Sequence, residues 1–443
     1  MKRMNIKFFY LNILILGICM SHSAQQRLIT PSEAVSLALD NNYGIKIANN
    51  SVEIAENNTS ILNSGYLPTL IGNAGTAFNI DNTEAEFSNG NTTVLRGAES
   101  SRYNASLNLN YTLFDGMGRT YNYKQLKERH NLSELEARET IENTILQLFT
   151  VYYNVAQLFE NTLAIQQTLD ISKDRVVRAN YQFDYGQSTK LEVLNAEVDI
   201  NNDSINLINS KQQLKNFKRD LNVVTGHTLP DDFDVKTDID FVLQLNKEDL
   251  FQKMLVNNAV LLQVDKNISI SEYDVKFGKS AYLPTIGLTG TYGWNENNNN
   301  AAAFVAVSTS TGLSGGLNLT WNLFDGGGTI TRVKNAKINL ETQKLQKEQL
   351  VIDITRNFNN AWDDYQNKLE IYRIQENNII TAQNNFDRTE EKFKIGQVNS
   401  IEFRQAQLNL LNAELSRNQA KYLAKLAELQ ILQISGEILN IDF

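Results

Sequence analysis

The chain has 443 residues, 42% hydrophobic and 21% charged, with a formal net charge of −9. This composition suits a folded protein in contact with water and excludes a bundle of transmembrane helices. The acidic balance excludes the basic footprint of a nucleic-acid partner. Residues 1–24 read as a signal peptide. Lys2, Arg3 and Lys7 form its positive region, and Phe8 to Ile18 is an apolar run too short to span a bilayer. Ser21 and Ser23 supply the small residues a cleavage site beside Ala24 needs. Removing the segment takes away three cations and leaves a charge of −12. Cys19 is the single cysteine, and Ile18 stands where a lipid-modified cysteine needs a small residue, so Cys19 is read as an inert signal residue, with lipidation as the alternative. The mature chain then has no thiol for a disulfide or a metal site.

After the signal, the sequence repeats itself. Asn108-Leu-Asn-Tyr-Thr-Leu-Phe-Asp-Gly116 recurs as Asn318-Leu-Thr-Trp-Asn-Leu-Phe-Asp-Gly326, and Phe183-Asp-Tyr-Gly-Gln187 recurs as Phe393-Lys-Ile-Gly-Gln397. Tyr66-Leu-Pro-Thr69 recurs as Tyr282-Leu-Pro-Thr285. Such self-similarity marks a duplicated structural unit. The expected organisation is a first repeat over 25–226, a linker over 227–246 around Pro230, a second repeat over 247–436 and a tail over 437–443.

Within each repeat two patterns alternate. In the first, strands are predicted over about 67–80 and 103–114, a long helix over about 117–184 and a return helix over about 189–225. The second repeat opens with a helix over roughly 247–281. Strands at about 283–294 and 313–324, a long helix at 328–394 and a return helix at 399–435 follow. The helices rest on the absence of glycine between Gly118 and Gly186 and between Gly328 and Gly396, and on four prolines that all lie elsewhere. Leu408, Leu411, Leu415, Tyr422 and Leu429 follow the spacing of a packed helical seam. The strands rest on a period of two. Tyr103, Leu107, Leu109 and Tyr111 share one face, and Asn104, Ser106, Asn108 and Asn110 the other. Leu317, Leu319 and Trp321 alternate in the same way with Asn318, Thr320 and Asn322. An apolar outer face, a polar inner face and polar loops over about 81–102 and 295–312 fit a transmembrane β-barrel. Aromatic residues near the strand ends suit its interfacial girdle. Four strands cannot close a barrel, because open edges are not tolerated in lipid, so the subunit is expected to oligomerise.

No catalytic constellation is present. His22, His130 and His227 are isolated, and neither a cofactor nor a metal site is expected. Asp115-Gly116 and Asp325-Gly326 lack the Gly-Lys-Ser/Thr ending of a phosphate loop and are read as helix starts.

The Tyr-Leu-Pro-Thr strand openings, the Leu-Phe-Asp-Gly exits and the Phe-x-x-Gly turns, duplicated in this order over about residues 28–436, resemble the TolC family of outer-membrane efflux proteins. The resemblance implies a mostly α fold with a β-barrel part, in which a homotrimer forms a 12-stranded barrel embedded in outer-membrane lipid and an α-helical periplasmic tunnel. It implies a passive exit duct for efflux or type I secretion, with no catalytic step. Its partners would be a periplasmic adaptor and an inner-membrane pump of the RND or ABC type. An elongated periplasmic coiled-coil scaffold without a pore is the alternative.

The family's Phe-x-x-Gly turns lie at the periplasmic tip, which here corresponds to Gly186 and Gly396. The resemblance carries an acidic entrance ring onto Glu402, with Glu192 as its first-repeat counterpart. The family's second acidic position is Gln405 here, and its tip arginine is Val398. Both departures remove elements of the family's lock. Thr189-Lys-Leu-Glu192 and Asn399-Ser-Ile-Glu402 also fit N-caps with an acid at the third helical position, so the two glutamates are open to a capping or a gating role.

Overall fold

The computed structural model describes residues 27–230, 232–242 and 245–441. The signal-peptide expectation, with Cys19 and His22, lies outside them. The chain divides into two compact units, one comprising residues 49–136 and 260–350, the other 27–48, 137–259 and 351–441.

The first of these carries a four-stranded antiparallel sheet. β2 (Thr69–Glu86) and β3 (Thr92–Asp115) form one hairpin, β5 (Thr285–Asn298) and β6 (Val307–Thr320) a second, and β3 pairs with β5 to give the order β2-β3-β5-β6. β2 and β6 are therefore both edges. The first hairpin is longer than the predicted 67–80 and 103–114, because most of the polar segment expected as a loop pairs across the hairpin, for example Glu84 with Val94 and Glu86 with Thr92. Backbone ladders need no apolar face, so polarity alone misplaced that boundary. The second pair also extends further outward than expected, and β6 stops at Thr320, so 321–324 leave the ladder.

A glycine turn leads from β3 into the long helices. Gly116 has φ 67°, and a Cβ there would lie 2.4 Å from the Ser280 carbonyl oxygen, which no side chain tolerates. The Asp115 carboxylate then accepts from the Arg119 backbone N–H at 2.8 Å. Asp325 does the same in the second repeat, accepting from the Thr329 N–H (2.7 Å) and hydroxyl (2.6 Å). Those donors hold its carboxyl below the ordinary carboxylate range.

Helices α3 (Gly118–Asp184) and α7 (Gly328–Lys394) are 67 residues each, and their return helices α4 (Lys190–Val224) and α8 (Ser400–Ile434) are 35 each. Two shorter helices precede the strands in each repeat: α1 (Pro31–Asn41) and α2 (Tyr43–Asn58), then α5 (Lys247–Asn257) and α6 (Ala259–Ser280). The first pair has no counterpart among the sequence expectations, and the second replaces a single helix expected over 247–281. Both breaks are held alike. Asn42 Nδ2 donates to the Val224 carbonyl and Asn258 Nδ2 to the Ile434 carbonyl, each at 2.9 Å.

The core of the second unit gathers where the linker between repeats crosses the helices. β1 (Arg27–Ile29) pairs in parallel with β4 (Phe233–Val235), a strand inside the expected linker. Phe149, Tyr152, Tyr153, Leu221, Tyr422 and Leu429 are buried around this pair. The Tyr152 hydroxyl donates to Ile29 O at 2.8 Å, tying the N-terminal strand to α3.

Candidate functional site: the sheet faces and the helical turns

The strand register decides which side chains share a face. Leu109 lies between Leu70 and Gly290, Leu107 between Gly72 and Tyr292, and Tyr103 between Thr76 and Glu296. Tyr111 faces Leu288, which faces Leu317, and Ile286 faces Leu319. Most apolar positions of the four strands thus fall on one side, with Ile71, opposite Asn108, on the other, and Leu107, Leu317 and Leu319 are 52%, 72% and 62% exposed. Trp321, expected on this face, lies one residue past β6, where its Nε1–H donates to Tyr282 O at 3.1 Å. The opposite face is polar and internally bonded. The Thr291 hydroxyl donates to Asn108 Oδ1 (2.8 Å), and Asn108 Nδ2 donates to the Ser106 hydroxyl (3.0 Å).

The two helical hairpins turn at Gly186 (φ 70°) and Gly396 (φ 78°). Gln187 N–H donates to Gln182 O at 2.7 Å, and Gln397 N–H to Lys392 O at 2.8 Å, the bonds that close a helix C-terminus on a left-handed residue. The next helices start differently. Asn399 makes a full capping box: its Oδ1 accepts from Glu402 N–H (2.9 Å) while its own N–H donates to Glu402 Oε2 (3.1 Å). Thr189 makes no side-chain cap bond, and Glu192 instead accepts from the Ser188 hydroxyl at 2.8 Å. Glu192 and Gln405 line one groove of about 400 Å³, together with Thr189, Asn399 and Arg404, whereas Glu402 is not among the residues lining it. Val398 packs on the cluster of Phe386, Phe393 and Phe403, in which the rings of Phe393 and Phe403 stack 4.5 Å apart.

A buried charge cluster joins the two hairpins a few turns from the glycines. Arg404 of α8 grips Asp203 of α4 with both terminal nitrogens, at 2.8 and 2.7 Å. Asp203 also accepts from the Ser172 hydroxyl of α3 at 2.6 Å. Arg175 of α3 pairs with Asp199 of α4, and Arg404 Nε lies 3.7 Å from the same carboxylate. Gln407 extends the network to Thr168 O at 2.8 Å. The side chains of Arg175 and Asp203 are 2% and 3% exposed. Sequence reasoning missed all four charged residues. Their only signal was the helical spacing of Asp199 with Asp203, of Ser172 with Arg175 and of Arg404 with Gln407, which is common on solvated faces.

Among the described residues there is no His/Cys/Asp/Glu cluster that could hold a metal ion, and no helix is long and apolar enough to cross a membrane. An open sheet with one apolar and one polar face, followed in sequence by long helical hairpins, is the pattern of an outer-membrane channel subunit.

The comparisons with known proteins agree. The family model described as "Outer membrane efflux protein" matches residues 34–227 and 250–437. The outer membrane efflux protein BepC of Brucella suis is 22% identical over 409 residues, covering 92% of this chain and 86% of BepC. The outer membrane protein TolC of Escherichia coli is 20% identical, with 77% of this chain and 71% of TolC covered. The crystal structure of the Campylobacter jejuni CmeC outer membrane channel superposes with a TM-score of 0.74 at 19% identity, covering 92% of this chain and 86% of CmeC. The chain belongs to the outer membrane efflux protein family. It is an efflux channel protein of the Gram-negative outer membrane and not an enzyme. These relatives lend nothing to the alternative of a scaffold without a pore.

Proposed function

We propose that three copies of this chain close a 12-stranded barrel and form a passive exit duct, with the polar sheet face lining the lumen and Tyr103, Leu107, Leu109, Tyr111, Leu317 and Leu319 facing lipid. The observation that carries this reading is the register. It keeps the apolar side chains, Ile71 excepted, on one face across four strands while leaving β2 and β6 as edges. Unpaired edges cannot stand in a bilayer, so other copies must supply the missing strands. Channels of this family are trimeric and work with an adaptor and an inner-membrane pump. The same partners are proposed here, a periplasmic adaptor meeting the helical end and an RND or ABC pump supplying the energy.

The turns at Gly186 and Gly396 are proposed as the periplasmic tip, with Glu192, Glu402 and Gln405 around the entrance. The cluster of Arg404, Asp203, Arg175 and Asp199 would hold the two hairpins together there. Glu402 already serves its helix N-terminus, so a gating role has to coexist with that cap.

Purified protein in planar bilayers tests the reading. Discrete conductance from a heat-modifiable oligomer is expected, with divalent-cation block that weakens in Glu402→Gln. Protein that forms the oligomer and shows no conductance would refute the duct. Block unchanged in the variant would remove Glu402 from the entrance.

A further inference from the structure

The polar face of the sheet is nearly free of charge. Between the Ser101 and Thr112 rows it carries Asn104, Ser106, Asn108 and Asn110 of β3, together with asparagine, serine, threonine and small residues of the neighbouring strands and one larger apolar side chain, Ile71 opposite Asn108. Arg102 is the single exception. It pairs in register with Ala77 on one side and Asn297 on the other. Its Nε–H donates to Asn297 Oδ1 at 2.7 Å, and Asn297 Nδ2 donates onward to the Ser308 hydroxyl at 3.4 Å, so the side chain is steadied across three strands. Arg102 is exposed and makes no ion pair among the described residues.

Acids lie nearby in sequence, but not where they neutralise it. Glu99 pairs with Ile80 and Glu296 with Tyr103, which places both on the apolar face. Asp81 shares the polar face but pairs with Ala98, four residues along the strand from Arg102. At about 3.3 Å per residue that is about 13 Å, beyond the Debye length of about 10 Å at 0.1 M salt.

We infer that Arg102 is a selectivity determinant of the duct: three copies, one per subunit, form a ring of guanidinium groups near the outer end of the barrel that draws anions. The inference rests on the trimeric barrel with its polar face inward. Successive copies lie four strands apart, about 19 Å around the wall at about 4.8 Å per strand. In a lumen otherwise lined by amides and hydroxyls, such a ring is the only fixed charge a passing solute meets at that depth. Rings of arginine favour anions in pores, and lumen-facing substitutions tune barrel selectivity. A solute bearing a carboxylate or phosphate group would gain a station here, opposite in sign to the carboxylates proposed at the entrance.

Reversal potentials across a KCl gradient test this. Arg102→Gln should raise the cation-to-anion permeability ratio at least about twofold at 0.1 M salt, with the difference fading at 1 M, where screening shortens to about 3 Å. Arg102→Lys should keep the wild-type ratio. Arg102→Cys labelled with a cationic methanethiosulfonate should return toward wild type, and the same protein labelled with an anionic reagent should shift beyond Arg102→Gln. The two labels act on one folded population, so misfolding cannot mimic the result. Conducting Arg102→Gln channels with the wild-type ratio, or equal responses to both reagents, would overturn the inference and leave the duct standing. Absence of conductance in the wild type would overturn the duct itself, and the ring with it.

Discussion

Consider Arg404→Met. The arginine supplies two of the three hydrogen bonds that Asp203 receives, and Asp203 is 3% exposed. Removing it leaves a buried carboxylate with one hydroxyl donor. Removing one partner of a buried ion pair costs about 3–5 kcal/mol, chiefly because the other charge stays buried alone. Here the loss falls on the joint between α8 and the hairpin of α3 and α4, so it lowers the free energy of local opening near the turns more than that of global unfolding. At about 1.4 kcal/mol per decade, amide exchange around residues 184–189 and 394–399 should accelerate by roughly two to three and a half decades. Hydrogen-exchange mass spectrometry of the detergent-solubilised oligomer reads this directly, and single-channel conductance should rise in parallel. The double variant Asp203→Leu with Arg404→Met removes both charges and should recover most of the protection. Wild-type exchange at both turns in Arg404→Met would refute the idea that this cluster holds the tip.

Two further outcomes follow from the same structure. Gly226 has φ 75°, and a Cβ there would sit 2.6 Å from Asn41 O, whereas Gly186 has φ 70° with nothing within 4 Å. Gly186→Ala should therefore cost only the left-handed backbone term, about 1–2 kcal/mol, and Gly226→Ala distinctly more, read as a larger fall in melting temperature. Burial raises the Glu414 carboxyl above its ordinary pKa, with Arg417 pulling the other way. The folded state then holds that proton more tightly than the unfolded chain, so the glutamate's contribution to stability falls as pH rises from about 4.3 through the folded value. Glu414→Gln should be neutral to stabilising at pH 7 and should flatten the pH dependence in that window, as measured by thermal unfolding from pH 4 to 8.

The fold class was legible because its signals are periodic and doubled. Glycine-free stretches of equal length, the alternation around Tyr103 to Leu113 and the repeated Leu-Phe-Asp-Gly exits are each local, and each occurs twice. What escaped depends on which turns of distant helices meet. Asp199 and Arg404 carry no mark that distinguishes them from surface charges, yet the structure brings them together, half-buried, beside the buried Arg175 and Asp203. The breaks at Asn42 and Asn258 were silent because asparagine disfavours helix only weakly, and the decisive bonds reach carbonyls roughly 180 residues away. The cap motifs show the opposite limit. Thr189 and Asn399 present the same pattern in sequence, but Ser188 takes the Glu192 carboxylate and only Asn399 completes its box.

The pairing of β1 with β4 also sets an order of events. Arg27 to Ile29 precede the first repeat in sequence, but their only strand partner among the described residues, Phe233 to Val235, follows the whole of it. Until that partner is in place, Arg27 to Ile29 have no ladder to join. Loop-closure entropy grows only with the logarithm of loop length, so the delay costs little stability, but such long-range contacts form late. The strand pair thus works as a latch that closes only after the linker has arrived. A chain halted between the repeats would leave that latch open, with the surrounding aromatic core exposed to whatever quality control watches the periplasm.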